Sequence, residues 1–89
     1  MSDEKITFSE FIVSLAQTAY VQLGIVEDPF SKKKNKNLQA AAETIDLIEM
    51  LKEKTKGNLN KEEEALLDEV LYDLRMKYLY ESKDESRNQ

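Results

Sequence analysis

The amino-acid sequence predicts an all-α fold of three helices, in which helices 2 and 3 form an antiparallel hairpin and an apolar helix 1 packs across it. Three observations lead to this prediction. No charged residue occurs from residue 11 to residue 26, although 35% of the chain is charged. Capping-box patterns, which open helices, begin at Thr7 and at Asn60. Between helices 2 and 3 stands Gly57, the residue type that most often follows a helix end.

Composition bounds the size and the chemistry of the protein. Its 89 residues allow one domain, expected over residues 7–80 between a flexible N-terminus (1–6) and a disordered polar tail (81–89). The chain has no cysteine and no histidine, so it lacks thiolates and the commonest general base. We therefore expect a soluble cytoplasmic protein that is not an enzyme and that has no catalytic residues, cofactor or metal.

Helix 1 is expected to begin at Thr7 and to end at Gly24. Its apolar side chains cover roughly 200° of the circumference, whereas ~100° is usual for a surface helix. Such a helix is buried on more than one side, against its own hairpin or against a second subunit, with which it could also be swapped. The uncharged run is shorter than the ~20 residues of a membrane span, and it follows an acidic segment unlike a secretory signal. We therefore expect no membrane partner.

A long connection, residues 25–36, leads to helix 2. The side chains expected to hold it against the core are Ile25, Val26 and Phe30. Asn37 is the expected cap of helix 2, which should run from residue 38 to about residue 55. Its predicted inner face consists of Leu38, Ala41, Ile45, Ile48 and Leu51.

Helix 3, expected over residues 61–80, carries two apolar stripes on opposite sides. The inner stripe consists of Leu66, Leu67, Val70, Leu71, Leu74 and Tyr78. The second consists of Ala65, Tyr72, Met76 and Leu79. Either helix 1 or the segment 25–30 covers the second stripe, or it is an oligomer interface, where aromatic residues and methionine are enriched. We favour the interface, because helix 1 also has excess apolar surface. The interface candidates are Phe11, Leu15, Tyr20, Ala65, Tyr72, Met76 and Leu79.

Several segments of the chain point to a known family. Residues 50–59 read MLKEKTKGNL, residues 71–78 read LYDLRMKY and residues 8–12 read FSEFI. These segments resemble a family of short bacterial proteins, domain of unknown function 1844, and the likeness spans roughly residues 7–80. Only the lysine-rich loop departs clearly. The resemblance implies a compact bacterial helical protein, and it carries over no activity, cofactor or catalytic residue.

The lysines of the connection supply an alternative function. Near the end of helix 3 they would form a basic end able to bind nucleic acid or another anionic ligand. The candidates are Lys32, Lys33, Lys34, Lys36 and Arg75. A solvated loop explains them more simply, because the net charge is −5 and no aromatic residue interleaves the lysines.

Carboxylates at i,i+4 spacing on helix 3 raise the question of a Mg²⁺ or Ca²⁺ site. They are Glu64 with Asp68 and Glu69 with Asp73. Solvated helix faces account for them better than a metal site does.

The sequence thus predicts a non-enzymatic, self-associating protein-interaction module, a homo-oligomer. It leaves a further protein partner open.

Overall fold

The computed structural model describes residues 5–87, with side chains as far as Asp84. The described residues form three helices and no strand: α1 is Phe8–Gln22, α2 is Leu38–Lys54 and α3 is Lys61–Arg87. All three pairs of helices are in contact. The prediction of an all-α fold of three packed helices is therefore confirmed. Within residues 5–87, no helix combines the length and the apolarity needed to cross a membrane.

The three helices begin where the sequence indicates, because side chains satisfy the first backbone N–H groups. At α1 the hydroxyl of Thr7 accepts from the Glu10 N–H at 3.0 Å, and the Glu10 carboxylate accepts from the Thr7 N–H at 3.1 Å. Asn60 and Glu63 make the same reciprocal pair at α3, at 2.8 and 2.9 Å. The Asn37 side chain caps α2. Both capping boxes and the Asn37 cap are confirmed.

Two glycines end the first two helices. Gly24, with φ of 80°, follows α1, and the Ile25 N–H reaches back to the Tyr20 carbonyl at 3.1 Å. A Cβ at Gly24 would lie 3.1 Å from the Cβ of Lys36. Gly57, with φ of 87°, follows α2, and a Cβ there would meet nothing within 4 Å. Glycine is therefore needed at position 24 for both conformation and space, and at position 57 for conformation alone.

The core lies where the inner faces of the three helices meet. Its buried apolar side chains are Ile12, Ala16, Ala19, Leu23, Ala41, Ile45, Ile48, Leu67, Leu71 and Leu74. One polar side chain, Thr44, is buried with them, and its hydroxyl donates to the Gln22 side-chain oxygen at 2.6 Å. Because a buried hydroxyl without a partner is costly, this bond fixes how α1 lies against α2.

Ion pairs between α2 and α3 show how the two helices run. Lys52 pairs with Asp68 at 2.6 Å, and Glu49 pairs with Arg75 at 2.6 Å. The residue number falls along α2 as it rises along α3, so the expected antiparallel hairpin is confirmed.

Helix α3 continues past its expected end at residue 80, as far as Arg87. Residues 81–87 contain no glycine or proline that would stop it, and Glu81 forms an ion pair with Lys36 at 2.8 Å. The expected disordered tail is therefore corrected to helix over 81–87. Residues 88–89 of that tail, and residues 1–4 of the expected flexible N-terminus, lie outside the described residues.

The connection between α1 and α2 departs from expectation at its tip. Ile25 packs against the core, as expected, but Val26 is 48% exposed and Phe30 is 94% exposed. The backbone turns at Asp28, whose carbonyl accepts from the Lys32 N–H at 2.8 Å. This turn carries the phenylalanine away from the core, so the expectation that Phe30 anchors the connection is wrong.

Candidate interaction surfaces

Four apolar side chains form a band on the outer side of α3, which we call the outer stripe: Ala65, Tyr72, Met76 and Leu79. Tyr72 is 68% exposed, Met76 53% and Leu79 57%, and Ala65 is also exposed. Neither α1 nor the connection covers them. Isolated exposed apolar residues are ordinary, but several on one face of one helix are typical of a contact surface.

The position of the outer stripe follows from the way the other helices flank α3. Tyr20 of α1 binds Asp73 on one flank, and Glu49 of α2 binds Arg75 on the other. Between these flanks the inner side is occupied by the core. At 100° per residue, the outer stripe falls in the remaining sector, opposite Leu74. The stripe is exposed on this side of α3, and Leu79 at its end borders a groove with α2.

The interface candidates on α1 do not join the outer stripe as one surface. Leu15 is partly buried against the core, and Phe11 is 39% exposed. Tyr20 lies about 180° round the helix from Phe11, since nine residues separate them. Tyr20 and Tyr72 line the same groove between α1 and α3. The structure thus brings Tyr20 next to the outer stripe and leaves Phe11 on the other flank of α1.

A polar cluster of Tyr20, Asp73 and Lys77 connects α1 to α3 at this groove. The Tyr20 hydroxyl donates to Oδ2 of Asp73, and Lys77 Nζ donates to Oδ1 of the same carboxylate at 2.6 Å. Lys77 Nζ also lies 5.4 Å from the centre of the Tyr20 ring, within the range of a cation–π interaction. One carboxylate therefore satisfies a phenol from α1 and an ammonium from its own helix.

The same cluster shifts two pKa values in opposite directions. Burial, the hydrogen bond to Asp73 and the negative charges of Asp73 and Glu69 raise the pKa of Tyr20 to about 12. The hydrogen bonds from Lys77 and Tyr20 lower the pKa of Asp73, against the opposing effect of burial. At neutral pH the phenol is protonated and the carboxylate is ionised, which is the arrangement that binds most strongly. The cluster is suited to holding two helices together rather than to proton transfer.

Sequence reasoning identified Tyr20 as an interface candidate and missed its partner. Tyr20 and Asp73 are 53 residues apart in the chain, so no local pattern links them. The i,i+4 spacing of Asp73 and Lys77 on α3 is a local signal for half of the cluster.

The candidates for anion binding have different environments. Lys36 pairs with Glu81 at 2.8 Å, and Arg75 pairs with Glu49 at 2.6 Å. Lys32, Lys33 and Lys34 are exposed on the connection. The basic end inferred from the sequence is therefore partly neutralised, and its exposed part is confined to three consecutive lysines.

The stacked carboxylates of α3 are divided between different partners. Asp68 pairs with Lys52 of α2, while Asp73 belongs to the tyrosine cluster. In the part of the chain that the structure describes, no three acidic side chains converge as metal ligands would.

These features define a class of protein: a small three-helix bundle with an exposed apolar stripe on its last helix and an exposed aromatic residue beside a lysine run. The chain matches a family model described as a domain of unknown function (DUF1844) over residues 5–81. It therefore belongs to this family, and the resemblance noted from its sequence is confirmed. No curated protein and no solved structure matches the chain.

Proposed function

We propose that this protein is a non-enzymatic interaction module that associates with itself through the outer stripe of α3. The observation behind the proposal is the exposure of Tyr72, Met76 and Leu79 on the side of α3 opposite the core. Burying these side chains against a second copy would remove their apolar surface from water, which is the main favourable contribution to most protein association.

The charges of α3 favour an antiparallel pair of α3 helices, related by a two-fold axis. The first part of the helix carries Glu62, Glu63 and Glu64, followed by Asp68 and Glu69, against one lysine at its start. A parallel pair would set these carboxylates against their own copies, at a cost in free energy. In an antiparallel pair, these carboxylates face the later part of the partner's α3, where acidic and basic residues are equal in number. Such an interface is self-complementary, as a two-fold dimer requires.

The dimensions of α3 suit this arrangement. At 1.5 Å per residue, its 27 residues span about 40 Å. The outer stripe extends over half of that length, from Ala65 to Leu79. A specific interface buries roughly 800 Å² of surface on each partner. A pair of α3 helices reaches that area when side chains flanking the outer stripe also take part in the contact.

The residue types of the chain and the partners of its ionisable side chains support a non-enzymatic role. The chain contains neither histidine nor cysteine. Tyr20 and Asp73, whose pKa values are shifted, bind each other and Lys77, and they link α1 to α3. Perturbed groups in an active site would instead face a cleft prepared for substrate.

The alternative, a nucleic-acid or anionic-ligand binder, has weaker support. Two of its five candidate residues, Lys36 and Arg75, are held in ion pairs with carboxylates. An anion would have to displace Glu81 and Glu49 to use them.

Light scattering coupled to size exclusion tests the proposal. We expect the wild-type chain to be a dimer or a larger oligomer and Met76→Glu to be a folded monomer, because a buried carboxylate at the interface is costly. The double variant Tyr72→Glu, Met76→Glu should dissociate more completely.

Met50→Glu is the matched control, since Met50 is 43% exposed on the outer side of α2. It makes the same chemical change away from the outer stripe and should leave the oligomer intact. Circular dichroism would show that each variant remains helical. A monomeric wild type would refute the proposal, and so would equal disruption by Met50→Glu.

A further inference from the structure

The tip of the connection between α1 and α2 displays an aromatic ring to solvent. Phe30 is 94% exposed, Val26 is 48% exposed, and Pro29 between them in the chain is also exposed. Phenylalanine contributes to folding only when it is buried, and here the core is complete without it. The Phe30 ring is therefore available for contact outside the subunit.

The backbone holds Phe30 in this position. The Asp28 carboxylate accepts from the N–H groups of Phe30 and Ser31, at 2.7 and 3.1 Å. The Asp28 N–H donates to the Lys33 carbonyl at 2.9 Å. Lys32 has a φ of 62°, a left-handed conformation that closes the turn. These bonds fix the backbone on both sides of Phe30, so they hold the turn in the conformation that exposes its ring.

Lysines follow the apolar tip directly. Lys32, Lys33 and Lys34 are exposed, whereas Lys36 pairs with Glu81 of α3. The tip therefore combines apolar side chains with three adjacent lysines, and with Glu27 and Asp28 in the same segment its net charge is +1. This combination is suited to an anionic lipid bilayer, which has negatively charged headgroups at its surface and apolar acyl chains below them.

We propose that the segment from Val26 to Lys34 docks this protein reversibly on anionic phospholipid surfaces. Phe30 enters the boundary between headgroups and acyl chains, and Lys32 to Lys34 contact the negatively charged headgroups. The sequence led us to expect no membrane partner, because its uncharged run is shorter than a membrane span and the segment before that run is unlike a secretory signal. Docking by a loop tip needs neither a span nor a signal.

The shape of the tip favours a lipid surface over single-stranded nucleic acid. Proteins that bind such strands stack successive bases on several aromatic side chains along a groove. Here one exposed aromatic ring stands on a turn that lies beside α1. Acidic residues distant from the tip do not prevent docking, because charges are screened over ~8 Å at physiological salt and the molecule is 46 Å long. Within the tip, the Asp28 carboxylate accepts from two backbone N–H groups, and the three lysines outnumber Glu27 and Asp28.

A tryptophan at the tip reports insertion directly, because the chain contains no tryptophan of its own. We expect the fluorescence of Phe30→Trp to shift to shorter wavelength with vesicles of mixed phosphatidylcholine and phosphatidylglycerol, and not with phosphatidylcholine alone. Ile6→Trp is the matched control: Ile6 is 73% exposed at the other end of α1 and should show no shift.

Flotation of unlabelled protein with the same vesicles tests the residues. Each lysine at an anionic surface contributes about a fivefold increase in binding, so Lys32→Gln, Lys33→Gln, Lys34→Gln together should weaken it about a hundredfold. Phe30→Ala should weaken it about tenfold or more. A control variant with the same charge change at three exposed lysines of the α2–α3 end should bind almost as wild type; it replaces Lys54, Lys56 and Lys61 with glutamine.

Three results would overturn the proposal. They are the absence of wild-type flotation with the anionic vesicles, equal binding to neutral vesicles, and equal loss of binding in both lysine variants. A response of Phe30→Trp to single-stranded polyuridylate but not to vesicles would also refute it, in favour of nucleic acid. Flotation and fluorescence report binding to vesicles, whereas light scattering reports oligomeric state, so failure of this proposal is distinguishable from failure of the self-association proposal.

Discussion

Replacing Tyr20 with phenylalanine removes one hydroxyl from the contact between α1 and α3. The ring remains able to pack, and Lys77 remains able to lie over it. What is lost is the hydrogen bond to Asp73 and the ionisation of the phenol. The variant therefore isolates the effect of the phenol on the pH dependence of folding.

The magnitude follows from the shift in pKa. A tyrosine in the unfolded chain ionises near pH 10, whereas burial and the Asp73 carboxylate raise the pKa of Tyr20 to about 12 in the folded protein. The stabilisation is fully present below pH 10 and is lost as pH rises toward 12, because only the unfolded state releases its proton in that range. One proton corresponds to a tenfold change in the folding equilibrium per pH unit, so the upper limit by pH 12 is about a hundredfold, or ~3 kcal/mol. Solvent screening at this partly exposed hydroxyl reduces the expected loss to about 1 kcal/mol.

Urea denaturation between pH 9 and pH 12, followed by circular dichroism, measures this effect as the difference between wild type and Tyr20→Phe. Ionisation of the lysines outside the cluster occurs in both proteins and cancels in the difference. We expect the wild type to lose stability more steeply than the variant over this range. Tyr80→Phe, which removes a hydroxyl from a residue 69% exposed, should keep the wild-type profile. Parallel profiles for wild type and Tyr20→Phe would refute the reasoning.

Three further predictions concern stability in urea denaturation. Gly57→Ala should lower the free energy of unfolding by ~1–2 kcal/mol, because residue 57 has a positive φ. Gly24→Ala should lower it more, because the new Cβ would also lie 3.1 Å from the Cβ of Lys36. Equal losses for the two variants would contradict this reasoning. Leu74→Ala, at a fully buried site, should cost ~2–5 kcal/mol, whereas Leu79→Ala should cost under ~1 kcal/mol in a monomeric background. Folding lowers the pKa of Asp73, so the ionised carboxylate stabilises the protein above the ordinary carboxyl pKa of 3.8, and this stabilisation is lost as pH falls below that value. The difference in free energy of unfolding between wild type and Asp73→Asn should therefore decrease below pH 3.8.

Local sequence determined where the helices begin and where the first two end. Thr7, Asn37 and Asn60 act on backbone groups within three residues, so their effect can be read from a short window. Gly24 and Gly57 adopt backbone conformations that other residues reach only at a cost. The inner faces were equally predictable, because helical periodicity alone decides which side chains share a side.

The end of α3 was harder to predict, because nothing in residues 81–87 stops a helix and nothing in them demands one. Polar composition suggested a tail, whereas the ion pair of Glu81 with Lys36 ties this segment to the connection. That contact joins residues far apart in the chain, so it has no signature in the local sequence.

The sequence by itself determined the helices, their caps, their inner faces and the existence of an extra apolar stripe on α3. Tertiary structure decided what that stripe and the other candidates face. It placed Tyr20 against Asp73, engaged Lys36 and Arg75 with carboxylates, and turned Phe30 outward. The physical reason is range: capping and periodicity act over a few residues, whereas exposure depends on how whole helices and their connection lie against one another.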